Sequence, residues 1–137
     1  MVLRTVIVGS GSVLPPVVVP NAAFLHHDFR GADGAAIDKP NEEILTQFEA
    51  ITGIRERRYA AEGQVASDLA LEAARNALAS SGIDPESLDG ILVAHNYGDV
   101  RAGSTRPDMV PSLAARVKAG LGIRNPFCPA FDLVFGC

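Results

Sequence analysis

Short apolar runs alternate with helix-period segments along this chain, and that alternation leaves few folds open. Thr5–Val8 (TVIV), Gly90–His95 (GILVAH) and Ala130–Phe135 (AFDLVF) are rich in β-branched or aromatic residues and bounded by turn formers. Runs of this kind read as buried strands. The clearest helix lies over Val65–Ser81, where Val65, Leu69, Ala73 and Ala77 recur at a four-residue step. Ala66, Ala70, Ala74 and Leu78 widen that stripe, and Gly82 stops it. The small side chains suit close packing against another layer. Pro111–Ala119 reads as a helix with Leu113, Ala114 and Val117 inward, ended by Gly120. A short helix is expected over Pro40–Phe48, with Pro40 at its first position and Glu42 and Glu43 where the helix dipole favours acids. Strand, helices, strand, helix, strand predicts an α/β layered fold with parallel strands. The polar, glycine-bearing stretches 26–40 and 96–108 read as surface excursions.

The last strand hands over to Gly136 and Cys137. A thiol at a strand end facing a helix N-terminus feels the positive end of the dipole, which favours the nucleophilic thiolate. Cys137 is therefore a candidate nucleophile; the bland alternative is a small buried hydrophobe. The helix would begin beyond Cys137, so residues 1–137 are expected to be a fragment of a larger enzyme. Cys128, between Phe127 and Pro129, is expected to be packed and inert. The two cysteines lack a CxxC or histidine-rich pattern, so no metal is expected.

Hydrophobic residues make up 47% of the 137 positions, which supports a real core and argues against disorder. The formal net charge of -4 implies no broad basic surface, so nucleic acid is not expected as a partner. No apolar stretch approaches the roughly 18–20 residues that span a bilayer, and the N-terminus shows no signal-peptide pattern. A cytoplasmic protein is expected. Gly9-Ser10-Gly11 resembles the start of a dinucleotide fingerprint, but Leu14 stands at its third glycine and Pro15-Pro16 block the receiving helix. These glycines instead suit tight chain passage.

Several strings in order carry a resemblance: IVGSGSVLP, ITGIRERRYA, SSGIDPESLDGILVAHN, AGLGI and PAFDLVFGC. Together they resemble the N-terminal half of β-ketoacyl-acyl-carrier-protein synthase III, in the thiolase-like superfamily. The resemblance covers nearly the whole chain, apart from the excursions at about 26–40 and 97–109. It implies a layered αβαβα fold of which residues 1–137 supply the N-terminal half-domain. It also implies an acyltransferase in fatty acid or polyketide-type biosynthesis. Cys137 would take an acyl group from a thioester and condense it with a malonyl-type thioester. A histidine and an asparagine from the second half would complete the site. The substrates would be acyl carrier protein or coenzyme A thioesters, with no further cofactor, and the enzyme would be a homodimer. The alternatives are a member without condensation activity that serves as a partner subunit, or an acyltransferase to an alcohol or amine.

The chain departs from the family pattern ahead of TGIR. Members primed by coenzyme A place a tryptophan and an arginine there to sandwich the adenine; the matching positions are Gln47 and Ile51, and the chain has no tryptophan. Phe48 is a candidate stacking residue one position off. The departure favours a carrier-bound primer. Arg55, Arg57 and Arg58 fit either a solvated face beside Glu56 or a dock for phosphate or an acidic carrier protein. Arg116, Lys118 and Arg124 would extend that dock if they shared its side. The resemblance places Val110 or Met109 where a residue crosses the dimer interface and closes the partner's acyl pocket. The alternative is an ordinary hydrophobic staple for the following helix. His95, at a strand end, reads as structural rather than catalytic.

Overall fold

The computed structural model describes residues 4–135. The chain divides into two compact units, one of residues 15–61 and one of the residues on either side of that segment.

In the 15–61 unit, strand β1 (Val17–Pro20) pairs antiparallel with β2 (Glu56–Tyr59), Val18 facing Arg58 and Val19 facing Arg57. Neither strand is expected from the sequence: β1 reads VVVP beside the Pro15-Pro16 pair, and β2 reads ERRY and has no apolar alternation. Its pairing with three consecutive valines makes it a strand. Between them lies helix α1 (Asn41–Thr52), with Glu42 and Glu43 in its first turn. It runs one turn beyond the expected end at Phe48, because nothing breaks it before Gly53, whose φ of 68° forms a left-handed cap. Pro40 stands as the N-cap rather than the first helical residue. The 26–40 excursion is a surface loop as expected, tied to the helix start by Asn41 Nδ2, which donates to Leu25 O (2.8 Å) and His27 O (2.9 Å).

In the other unit, helix α2 (Ala66–Ser81) matches the sequence reading closely, and Gly82 at φ 68° ends it. Its small stripe receives the Gly9–Gly11 segment, and Asn76 Nδ2 donates to Ser12 O at 3.0 Å. A Cβ on Gly9 would stand 2.6 Å from Ser81 Cβ, and one on Gly11 would run into Ala77 N and Ala73 O. The glycines thus serve close chain passage, as read from the sequence. Gly11→Ala is expected to destabilise the protein by about 1–3 kcal/mol in urea unfolding, since its contacts are backbone that cannot rotate away. An unchanged midpoint would contradict this packing.

Strand β3 (Ile91–His95) pairs in parallel with β4 (Ala130–Val134), from Ile91 opposite Ala130 to His95 opposite Val134. Helix α3 (Leu113–Gly120) covers one face and supplies most of the core: Leu113, Ala114 and Val117 are buried as expected, with Ile123 and Cys128. Gly120 lets α3 meet α2 closely, since a Cβ there would stand 2.9 Å from Leu71 Cδ1.

Two expectations need correction. The strands are not buried on both sides: Leu92, Phe131 and Leu133 share the outer face and are 64%, 59% and 51% exposed. Parallel strands that are apolar on both faces are ordinarily covered on both, but α3 covers only one. Thr5–Val8 is extended but forms no strand, and Val6, Ile7 and Val8 are exposed. A strand requires a hydrogen-bonded ladder, and this segment has no ladder partner among the described residues.

Candidate functional site

The chemistry expected of this chain centres on Cys137, which with Gly136 lies outside the described residues. The approach to it is well defined. Beyond β4 the ladder extends one step, with Phe135 N donating to His95 O at 3.0 Å. Phe135 sits at φ 57°, a left-handed conformation uncommon for a bulky residue. Its ring meets Tyr97 edge-on, centroids 6.2 Å apart.

One carboxylate fixes this strand end. Asp132 points from β4 at the start of α3, whose first N–H groups have no partner within the helix. Its oxygens accept from Leu113 N and Ala114 N, both at 2.8 Å. Oδ2 also meets His95 Nε2 at 3.0 Å, while Gly98 N donates to His95 Nδ1 at 2.9 Å. That leaves the Nε2 hydrogen pointing at Asp132. Burial works to raise the Asp132 carboxyl, but the donors from Ala114, His95 and Leu113 outweigh it and hold it below the ordinary carboxylate value. His95 is thus a structural link between β3, β4 and the following loop, in line with its sequence reading. Asp132 was visible only as the one charge in the AFDLV run; nothing local announces that it caps a helix.

A second carboxylate works the same way. Asp99, buried in the 96–108 loop, accepts from Ser67 N (2.7 Å) and Ser67 Oγ (2.6 Å) in the first turn of α2. It also pairs with Arg116 at 2.7 Å. Sequence reasoning missed this residue, which looks like any polar loop position.

The three clustered arginines do not share one surface. Arg57 lies between Phe24 and Phe48, its guanidinium carbon 5.0 Å from each ring centroid, and donates to Asn21 Oδ1 at 2.6 Å. Phe48 therefore stacks on the chain's own arginine, beside a cavity of about 220 Å³ that Phe24, Phe29 and Tyr59 also line. Arg55 is largely exposed and pairs with Glu49 at 3.1 Å; Arg58 pairs with Glu56 at 3.2 Å. At the adenine-clamp positions, Gln47 hydrogen-bonds Glu43 and Lys39, and Ile51 is 84% exposed. Val110 is 86% exposed and Met109 partly so. Lys118 Nζ is engaged by Asn125 O and Cys128 O. Cys128 is a fully buried free thiol, consistent with an inert packing role. Among the described residues no cluster of three His, Cys, Asp or Glu side chains is placed to hold a metal, and no helix is long and apolar enough to cross a membrane.

No family model matches the chain. Among curated proteins, the β-ketoacyl-[acyl-carrier-protein] synthase III of Bradyrhizobium diazoefficiens is 39% identical over 135 residues, covering 98% of this chain and 34% of that protein. The synthase III of Cereibacter sphaeroides is 36% identical over 137 residues, covering 100% of this chain and 35% of that protein. Among solved structures, synthase III from Thermus thermophilus superposes with a TM-score of 0.68 at 32% identity, covering 97% of this chain and 34% of that one. The priming β-ketosynthase of the R1128 polyketide pathway gives 0.65 at 26% identity, covering 93% and 31%. The chain spans about a third of the length of the relatives it matches.

Proposed function

We propose, on the premise that this chain is a homologue of the N-terminal part of β-ketoacyl-acyl-carrier-protein synthase III and adopts that part of the layered thiolase-like α/β fold, that it carries the acyl-accepting portion of a condensing enzyme. The observation that carries this reading is the match along the whole chain, with the AFD strand running toward Cys137.

The Cys137 thiolate attacks the carbonyl carbon of an acyl thioester. The tetrahedral oxyanion collapses, the carrier thiolate leaves and takes up the proton that the Cys137 thiol gave up on ionising, and the acyl group remains on the Cys137 sulfur. A malonyl-type thioester then loses carbon dioxide, and the resulting carbanion attacks the acyl carbon. The new carbon–carbon bond forms as the Cys137 thiolate is released. The chain's described residues contribute position: Asp132 and His95 hold β4 against β3 and α3, so the strand leading to the thiol is fixed. The primer arrives on an acyl carrier protein, because neither clamp position offers an aromatic or cationic surface for adenine. Arg55 and Arg58, both solvent-exposed, meet the acidic carrier. The enzyme works as a cytoplasmic homodimer in which Val110 closes the acyl pocket of the neighbouring subunit, and no cofactor beyond the thioesters takes part.

The test is a condensation assay on the intact protein with one acyl group presented on carrier protein or on coenzyme A, alongside malonyl carrier protein. The expected result is a 3-oxoacyl product, with the carrier-bound primer preferred by about tenfold or more in kcat/KM. A second reading rests on the same missing clamp: a relative that has lost condensation and serves as a partner subunit or carrier-docking module. No carbon dioxide release from malonyl thioester and no 3-oxoacyl product from the intact protein would establish that reading and end the first, whereas carbon dioxide release would exclude it.

A further inference from the structure

The 97–109 stretch is a polar, glycine-bearing surface excursion, and such a segment would ordinarily be a loose loop. Here it is braced on both legs. Asp99 N donates to Asp108 O at 3.0 Å and Asp108 N to Asp99 O at 2.7 Å, closing the loop at its base. Gly98, at φ 70°, allows the legs to meet; a Cβ there would stand 2.7 Å from Met109 Cγ and 2.8 Å from Asp108 O. Across this base lies Arg116 of α3, which uses all three guanidinium nitrogens. Nη1 donates to Asp99 Oδ2 at 2.7 Å, Nη2 to Asp108 Oδ1 at 2.8 Å, and Nε to Pro111 O at 3.0 Å. Asp99 is itself anchored on Ser67 of α2. The planar fork of arginine can serve three acceptors in one plane, which an ammonium cannot.

Asp108 and Pro111, which bracket Met109 and Val110, are thus tied to a single side chain. Between them Val110 stands 86% exposed. A rigid base carrying an outward apolar side chain is the arrangement needed to place a knob reproducibly in another surface.

We propose that Arg116 is a positioning residue that fixes Val110 through the 98–111 loop base, and so sets the acyl chain length the enzyme accepts. This rests on the reading of Val110 as a wall of the acyl pocket. Loss of the brace lets Val110 shift, and a pocket wall that moves by a methylene's width changes which chains fit.

The test uses the intact protein and the ratio of kcat/KM for a short over a long acyl primer, a ratio that uniform loss of folded enzyme leaves unchanged. Val110→Phe is expected to move the ratio by about tenfold or more. Arg116→Gln is expected to move it by about fivefold or more, and Arg116→Lys to behave like the glutamine variant rather than restore the parent. Asp108→Asn, which loosens only the exposed leg, gives a smaller shift of the same sign and serves if the Arg116 variants fail to fold. An unchanged ratio in Val110→Phe would overturn the pocket reading and this inference with it. A shifted ratio in Val110→Phe with an unchanged one in the Arg116 and Asp108 variants would overturn this inference alone.

Discussion

Asp132→Ala is expected to destabilise the protein by about 3–5 kcal/mol, because it strands the N–H groups of Leu113 and Ala114 and the His95 ring N–H together. Both side chains of the His95–Asp132 pair are at most 10% exposed, so water replaces these bonds poorly. Asp132→Asn keeps one acceptor oxygen but turns an NH2 toward donors, and should fall between parent and alanine. The pH dependence has a definite sign. The folded carboxyl lies below its ordinary value, against about 3.9 in an unfolded chain. Its stabilising contribution is therefore complete above about pH 4 and is lost as pH falls through the lower, folded value. Urea unfolding of parent and alanine variant should differ most at neutral pH and converge in acid. A constant difference down to pH 2 would show that the carboxylate charge is not what caps α3.

The same residue shows what could be read from the sequence and what could not. The α2 and α3 helices were legible because their signals are local: a small-residue stripe stopped by Gly82, and Leu113, Ala114 and Val117 at helical spacing. The parallel pair was legible from two apolar runs separated by a helix. Asp99 and Asp132 were not, because each serves a helix start distant in sequence, Ser67 in one case and Leu113 in the other. The β1–β2 ribbon was hidden for a related reason. ERRY is polar at every position but the last, and only its partner makes it a strand. The Thr5–Val8 run failed in the opposite sense, with strong β-branched preference but no ladder to join among the described residues. The three arginines looked like one patch because they are neighbours in sequence. Strand alternation turns Arg57 away from Arg58, toward Phe24 and Phe48.

Cys137→Ser is expected to lower acyl transfer by about a thousandfold or more, while thermal unfolding stays close to the parent's. A thiol titrates near pH 8.5 in water and lower beside a helix N-terminus, so a useful fraction is thiolate at neutral pH. A serine hydroxyl has no such fraction and needs a strong base beside it. Cys128→Ser offers the comparison. That sulfur is buried among packed residues, so its replacement should cost stability and leave the rate per folded molecule unchanged. Equal losses of rate in the two variants would remove the distinction on which the proposed role of Cys137 rests.

The most direct measurement is to mix the intact protein with an acyl carrier thioester, withhold the malonyl donor, and map the protein by peptide mass spectrometry. One acyl mass increment is expected, on the peptide containing Cys137, released by hydroxylamine and by later addition of malonyl thioester. Continued formation of 3-oxoacyl product with Cys137 unmodified, or with the acyl group on another residue, would contradict it.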